Sequence, residues 1–272
     1  MFKRVSLLLL LGLFSGQLLS QELILTAPPR ESQQKGEAQY GPLAKYFGTL
    51  LGKPVRYVHP ENWLNYQREM RADKYDIVFD GPHFAAWRMA HLGNQMVIKL
   101  PGNLQFYLLV REDGNIHTLT DLIGKNTCGI SPPNLSTLSI LAAYDNPVRQ
   151  PIIKGIKGGM GKVHKEFLTG QCSALVLRNA FYKKKLKPEQ RQQLRIIYES
   201  ARMPNQVITA SKRISLSEVE KMRQGLLHTK AGNQALAATL KRFGGKAKNF
   251  VVATNKEYEG YNTLLEGVIF GW

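Results

Sequence analysis

Apolar positions along this 272-residue chain fall into two alternating rhythms. Short runs rich in β-branched and aromatic residues are followed by longer stretches in which apolar side chains recur every three or four positions. The first pattern predicts a strand and the second an amphipathic helix. "ELILTAPP" reads as a strand ending at Pro28-Pro29, and "YGPLAKYFGTLLGK" as a helix with Pro42 near its start and Gly52 past its end. "PVRYVHP" predicts a second strand, "NWLNYQREMRADK" a second helix and "YDIVFD" a third strand. Units of this βαβ kind call for a mostly parallel sheet.

"GNLQFYLLVRED" reads as a longer strand placed to cross between lobes, after which the rhythm restarts. "TLTDLIGK" predicts a short helix capped by Thr118 or Thr120, followed by the strand "NTCGIS" and the helix "NLSTLSILAAY". "PIIKGIK", "GKVHKEFLTG" and "CSALVLRNAF" continue as strand, helix and strand, and "RIIYESARMPNQVITAS" reads as the return crossing. In "SLSEVEKMRQGLLHT", Ser217 and Glu220 have the spacing of a capping box. The expected fold is α/β in two lobes, each a mostly parallel sheet flanked by helices. Residues 21–105 and 207–272 make lobe 1 and residues 106–206 make lobe 2. Two crossings leave a cleft between the lobes, the usual place for a ligand.

The amino end reads differently. Lys3 and Arg4 precede an apolar run from Val5 to Phe14, then Ser15, Gly16 and Ser20. That order is a secretory signal, expected over residues 1–20. The run is short for a bilayer span, which takes about 20 residues. The mature chain is therefore expected to be soluble, exported and periplasmic. Export changes the meaning of Cys128 and Cys172, because an even pair in an oxidising compartment is more often a disulfide than a metal site. Two buried free thiols are the alternative.

The formal net charge of +17 attracts anions, whether nucleic acid, anionic membrane or small ligand. Its densest run, "YKKKLKPEQRQQLR" at 182–195, has no interleaved aromatics to stack bases, so nucleic acid is not expected as a partner. The run reads as a solvated helix face and loop. Enzyme signatures fail. "GIKGGMGKV" places Ile156 where a phosphate loop needs its first glycine, and Val163 where Ser or Thr binds magnesium. Neither G-x-S-x-G nor H-E-x-x-H occurs. No cofactor is expected, and no close histidine pair has metal spacing. His59 and His83 end successive strands, which leaves a metal pair as an alternative if they meet in space.

Several residues sit at strand ends, where α/β folds bind ligands. Arg30 follows the stiff Pro28-Pro29 turn and suits bidentate grip of an oxyanion, or pairs with Glu31. Asp80 and His83 flank Gly81-Pro82, and either hydrogen-bond a ligand or, for Asp80, cap the next helix. Trp63 and Tyr66 wall the cleft or pack in the core. Ser136 and Thr137 open a helix and suit a phosphate-like group, or cap it. Arg178 and Asn179 end the last strand of lobe 2.

Taken together these segments resemble a known family. "YGPLAKYFGTLLGKPVRYVHPENWLNYQREMRADKYDIVFDGPHFAAWR" is similar to the first lobe of the phosphate/phosphite/phosphonate-type periplasmic substrate-binding proteins of ABC importers. "TLTDLIGKNTCGIS", "GGMGKVHKEFLTGQCSALVL", "MPNQVITAS" and "FVVATNKEYEGY" extend the likeness in order along nearly the whole mature chain. The resemblance implies the type II, transferrin-like two-lobe fold and a non-enzymatic monomer that binds a small anionic ligand. It also implies a membrane permease as partner, or a membrane sensor in members that act as receptors. It places the Gly81-Pro82 turn in the cleft and a Ser/Thr cluster at the helix start of lobe 2, where this chain has Leu135 ahead of Ser136 and Thr137. Where phosphonate binders often carry an acidic residue for an aminoalkyl group, this chain has Arg178. That departure implies a more fully charged anion or a different ligand.

Overall fold

The computed structural model describes residues 22–266, so the expected signal segment lies outside the described residues. The chain forms β1 (Leu23–Thr26), α1 (Gln33–Leu51), β2 (Val55–Tyr57), α2 (Trp63–Arg71), β3 (Ile77–Asp80), α3 (Pro82–Leu92) and β4 (Gln95–Lys99). After β5 (Asn103–Leu104) come β6 (Phe106–Arg111), β7 (Asn126–Ile130), α4 (Leu135–Leu141), β8 (Ile152–Ile156), α5 (Met160–Leu168) and β9 (Ala174–Arg178). Then follow α6 (Asn179–Lys185), α7 (Pro188–Gln192), β10 (Leu194–Glu199), β11 (Met203–Pro204), β12 (Val207–Ala210), α8 (Leu216–His228), α9 (Lys230–Phe243) and β13 (Val251–Val252).

These strands build two larger sheets and a short ribbon. The first sheet runs β13-β4-β12-β3-β1-β2 and the second β10-β6-β9-β7-β8. β1 pairs in parallel with β2 and β3, and β7 with β8 and β9, as the βαβ pattern predicts. Antiparallel strands complete each sheet where the chain crosses: β12 lies against β3 and β4, and β6 against β9 and β10. Both sheets are therefore mixed, with a parallel half and an antiparallel half. The ribbon, β5 against β11, ties the outgoing and returning crossings together.

Side-chain alternation along the central strands sets the layers. In β3, Ile77 and Phe79 join the core under α1, α8 and α9, whereas Val78 joins Tyr66, Met70, Phe84 and Trp87 on the other face. In β6, Tyr107 and Leu109 pack with the α5 side, and Phe106, Leu108 and Val110 face the opposite cluster. Among the described residues no helix is long and apolar enough to cross a membrane.

Element ends differ from the sequence reading in places. α1 begins at Gln33, so Pro42 lies inside the helix rather than near its start. The missing amide falls on the exposed face, where both Ala38 and Pro42 are open to solvent. α8 is capped by Ser215 with Glu218, not by Ser217 with Glu220. Both pairs have the box spacing, but Ser215 takes the extended cap conformation next to buried Ile214. β9 stops at Arg178 because Asn179 already begins α6. The run "GNLQFYLLVRED" divides at Gln105, whose side chain turns to Glu199 and the Ser200 carbonyl.

Cys128 on β7 and Cys172 just before β9 form a disulfide, as expected from export. Both sulfurs lie in the apolar cluster beneath α5. The bridge closes a loop with a sequence separation of 44. Tethering a loop of that size stabilises the folded lobe by about 4 kcal/mol in the chain-entropy description. Protein denatured without reductant is expected to show no titratable thiol by Ellman assay. The Cys128→Ala/Cys172→Ala variant is expected to unfold at lower urea, by about 4 kcal/mol. Two titratable thiols in the unreduced protein would exclude the bridge.

Candidate functional site

The carboxyl ends of β1, β3, β7 and β9 converge on a cavity of about 140 Å³ between the two sheets. Arg30, Trp63, Gly81, His83 and Phe84 line it from the first lobe. Ile130, Pro133, Asn134, Leu135, Met160 and Arg178 line it from the second, and Leu104, Phe106 and Gln206 from the crossings. Four of the sequence-predicted residues, Arg30, Trp63, His83 and Arg178, thus share one cavity. Asp80, Tyr66, Ser136 and Thr137 are not among the lining residues.

Asp80 is fully buried and already engaged. Arg88 grips it with both arms, Nη1 to Oδ2 at 2.7 Å and Nη2 to Oδ1 at 3.0 Å. The Tyr66 hydroxyl donates to the same Oδ2 at 2.5 Å, and Arg88 Nη2 also donates to Thr209 at 2.8 Å. Burial, and then the Asp80 charge, hold the Tyr66 phenol well above its usual range, so it stays a donor. Asp80 and Tyr66 therefore act behind the cavity wall. The sequence reading missed Arg88, although it had a signal: Arg88 falls one turn after Phe84 on a helix face that is otherwise apolar.

Gly81 and Pro82 explain why the strand stops so abruptly. Gly81 is the extended N-cap of α3 and Pro82 its first residue, where a missing N–H costs nothing. The turn presents His83 to the cavity. Its Nε2 lies 3.1 Å from the Pro133 carbonyl oxygen of the other lobe. A carbonyl only accepts, so Nε2 carries a hydrogen and donates it. Burial pushes the His83 pKa down to about 4, against the opposing pull of the Pro133 hydrogen bond. His83 is a latch between lobes as well as a wall.

The hydroxyls of Ser136 and Thr137 are turned away. Ser136 donates to Asn134 Oδ1 at 2.7 Å and Thr137 to the Ile130 carbonyl at 2.6 Å. The cap of α4 is Asn134, which accepts the Ser136 N–H and itself lines the cavity. Sequence reasoning credited the hydroxyls and missed the asparagine, even though Asn is as strong a cap as Ser.

Arg30 and Arg178 remain available. Arg30 is not paired with Glu31, whose carboxylate lies 2.6 Å from Arg242. The Arg30 N–H closes a tight turn onto the Pro28 carbonyl at 2.7 Å, and its guanidinium lies 5.7 Å from the Phe243 ring centre. Arg242 covers the same ring at 5.0 Å. Arg178 ends β9 opposite Phe106 and is pushed below its usual pKa by burial. Arg30 Nη1 and Arg178 Nε are buried without hydrogen-bond partners, and among the described residues no carboxylate pairs with either guanidinium. Trp63 stacks on Phe84, with ring centres 6.0 Å apart, and meets Tyr66 edge-on at 6.1 Å. His59 is occupied elsewhere, its Nδ1 3.0 Å from the Tyr57 hydroxyl. His83 is engaged by Pro133, so the two histidines have different partners, and no group of three or more metal-ligating side chains occurs among the described residues.

The family described as "ABC transporter, phosphonate, periplasmic substrate-binding protein" matches residues 25–258. The chain belongs to this family. Membership carries a periplasmic setting, a small-molecule ligand and a membrane permease as partner for this binding protein. Solved structures agree on the type II two-lobe fold. XAC2383 from Xanthomonas citri, bound to ATP, gives a TM-score of 0.67 at 14% identity, over 90% of this chain and 97% of that one. A binding-protein component of an ABC phosphonate transporter (PA3383) from Pseudomonas aeruginosa gives 0.59 at 15% identity, over 90% and 86%. PhnD1 from Prochlorococcus marinus, in complex with methylphosphonate, gives 0.58 at 18% identity, over 90% and 97%. No match occurs among curated proteins.

Two measurements test this account of the wall. Arg88→Leu strands the Asp80 carboxylate in the core and is expected to cost about 3–5 kcal/mol in urea unfolding. A loss below about 1 kcal/mol would mean that the pair supports nothing.

For His83 the folded pKa lies below the unfolded one, so its neutral form contributes stability that is fully present above about pH 6.5 and lost as pH falls through about 4. From pH 7 to 4.5 the wild type is expected to lose roughly 2 kcal/mol more than His83→Gln. Parallel pH profiles for the two proteins would remove His83 from the latch.

Proposed function

We propose that this binding protein captures a small, doubly charged oxyanion of the phosphonate type between Arg30 of one lobe and Arg178 of the other. The observation that carries the reading is a pair of guanidinium groups facing one cavity with no carboxylate partner among the described residues. Burying a charge without a partner is costly, and an anion entering the cavity would remove that cost twice. A phosphonate dianion supplies acceptor oxygens for both forks.

The cavity draws walls from both lobes, so the anion is contacted fully only when they are together. Ligand then shifts the population toward the closed form, with the His83–Pro133 contact made in the same state. The protein acts as a carrier rather than a catalyst. In support, the lining has no hydroxyl, thiol or carboxylate among the described residues to attack a bound ester. It works as a monomer. Residues 1–20 direct its export, and the closed, loaded form is what the permease receives.

Isothermal titration of ligand-free mature protein with methylphosphonate, phosphite, phosphate and sulfate tests the reading. At least one phosphorus oxyanion is expected to bind, and Arg178→Ala or Arg30→Ala is expected to weaken it at least tenfold, about 1.4 kcal/mol. Unchanged affinity in both variants would place the anion elsewhere.

A further inference from the structure

The cavity contains more than a cation pair, and its remaining walls say what else the ligand carries. Trp63 and Phe84 form a stacked aromatic surface on one side, and Leu104, Leu135 and Met160 add aliphatic surface. Of the two carboxylates adjacent in sequence to the wall, Asp80 has both oxygens taken by Arg88 and is fully buried, and Glu31 is paired with Arg242. Among the described lining residues there is no acid to receive a positive charge, and the two arginines repel one.

Resting on the oxyanion reading above, we infer that the ligand is an organophosphonate whose substituent is short, apolar and uncharged. The phosphonate group lies with Arg30 and Arg178, and the carbon chain lies against Trp63, Phe84 and Leu135. An alkyl tail gains from burial, roughly fourfold in affinity per methylene. An ammonium group on the same tail would lose its water and find two arginines, apolar carbon and the neutral groups of His83, Asn134 and Gln206, with no carboxylate among the described lining residues. Sites lacking a partner for a buried charge reject it far more strongly than they resolve a methylene. The volume sets the length. A cavity of about 140 Å³ is close to the roughly 150 Å³ that accommodates one benzene, enough for a phosphonate with two or three carbons.

Propylphosphonate and 2-aminoethylphosphonate have the same number of non-hydrogen atoms and differ at one terminal group, methyl against ammonium. Titration of the mature protein with this pair, with phosphite as the tail-less reference, is the test. Propylphosphonate is expected to bind at least tenfold tighter than 2-aminoethylphosphonate, and more tightly than phosphite. In Trp63→Ala the advantage of propylphosphonate over phosphite is expected to fall at least fivefold. Equal or tighter binding of 2-aminoethylphosphonate would overturn the substituent inference and leave the oxyanion reading standing. An undiminished propyl advantage in Trp63→Ala, with phosphite still bound, would also overturn it. If phosphite and both phosphonates fail to bind wild type, it is the oxyanion reading that falls.

Discussion

The fork of Arg88 on Asp80 is the constraint on which the ligand cleft depends. One guanidinium holds the end of β3 through Asp80, the start of α2 through Tyr66 and the returning strand β12 through Thr209. All four side chains are essentially excluded from water. An ion pair in that setting returns little net energy against burying apolar groups, but losing one partner leaves a bare charge in the core. The arrangement therefore specifies more than it stabilises. It fixes the corner at which β3 becomes α3, and with it the direction in which Gly81, His83 and Phe84 enter the cleft.

The same pair shapes the electrostatics on the ligand side. Asp80 is the acid at the strand end, where it would otherwise face the cavity, and Arg88 removes it from there. Glu31 is removed in a similar way by Arg242, while the ring of Phe243 lies against both Arg242 and Arg30. Asp80 and Glu31 are thus each paired with an arginine that does not line the cavity. What remains facing the cavity is cationic, apolar or neutral, and among the described residues no acid pairs with Arg178, the cation on the second lobe. The proposed oxyanion would complete such a site from outside.

Closure then has a simple physical basis. The crossings at β5 and β11 are paired to each other rather than to either large sheet, which leaves the lobes joined by a narrow ribbon. The His83–Pro133 hydrogen bond reaches across the cleft, while the Cys128–Cys172 bridge stiffens β7 and β9, the strands that lead to the α4 start and to Arg178. One lobe is thus held by a buried ion pair and the other by a covalent tie, and each presents one cation on a rigid edge. Preorganised groups of this sort lose little entropy when the ligand arrives.

Much of this was written in the sequence. The alternation of strand and helix patterns, the two crossings, the cysteine pair and the strand-end positions of Arg30, His83 and Arg178 follow from periodicity, turn chemistry and compartment, all of them local properties. The choice between alternatives was not local. Whether Arg30 pairs with Glu31 depends on Arg242, more than 200 positions away in the chain. Whether Asp80 meets a ligand depends on Arg88, eight positions on in α3, and on Thr209 from the returning strand. Ser136 and Thr137 had the right chemistry and the wrong orientation, because Asn134 and the Ile130 carbonyl claimed their hydroxyls first. A sequence states which groups can bind an ion. Only the tertiary structure decides which of them are already spent on one another, because burial lets no polar group remain unpaired without cost.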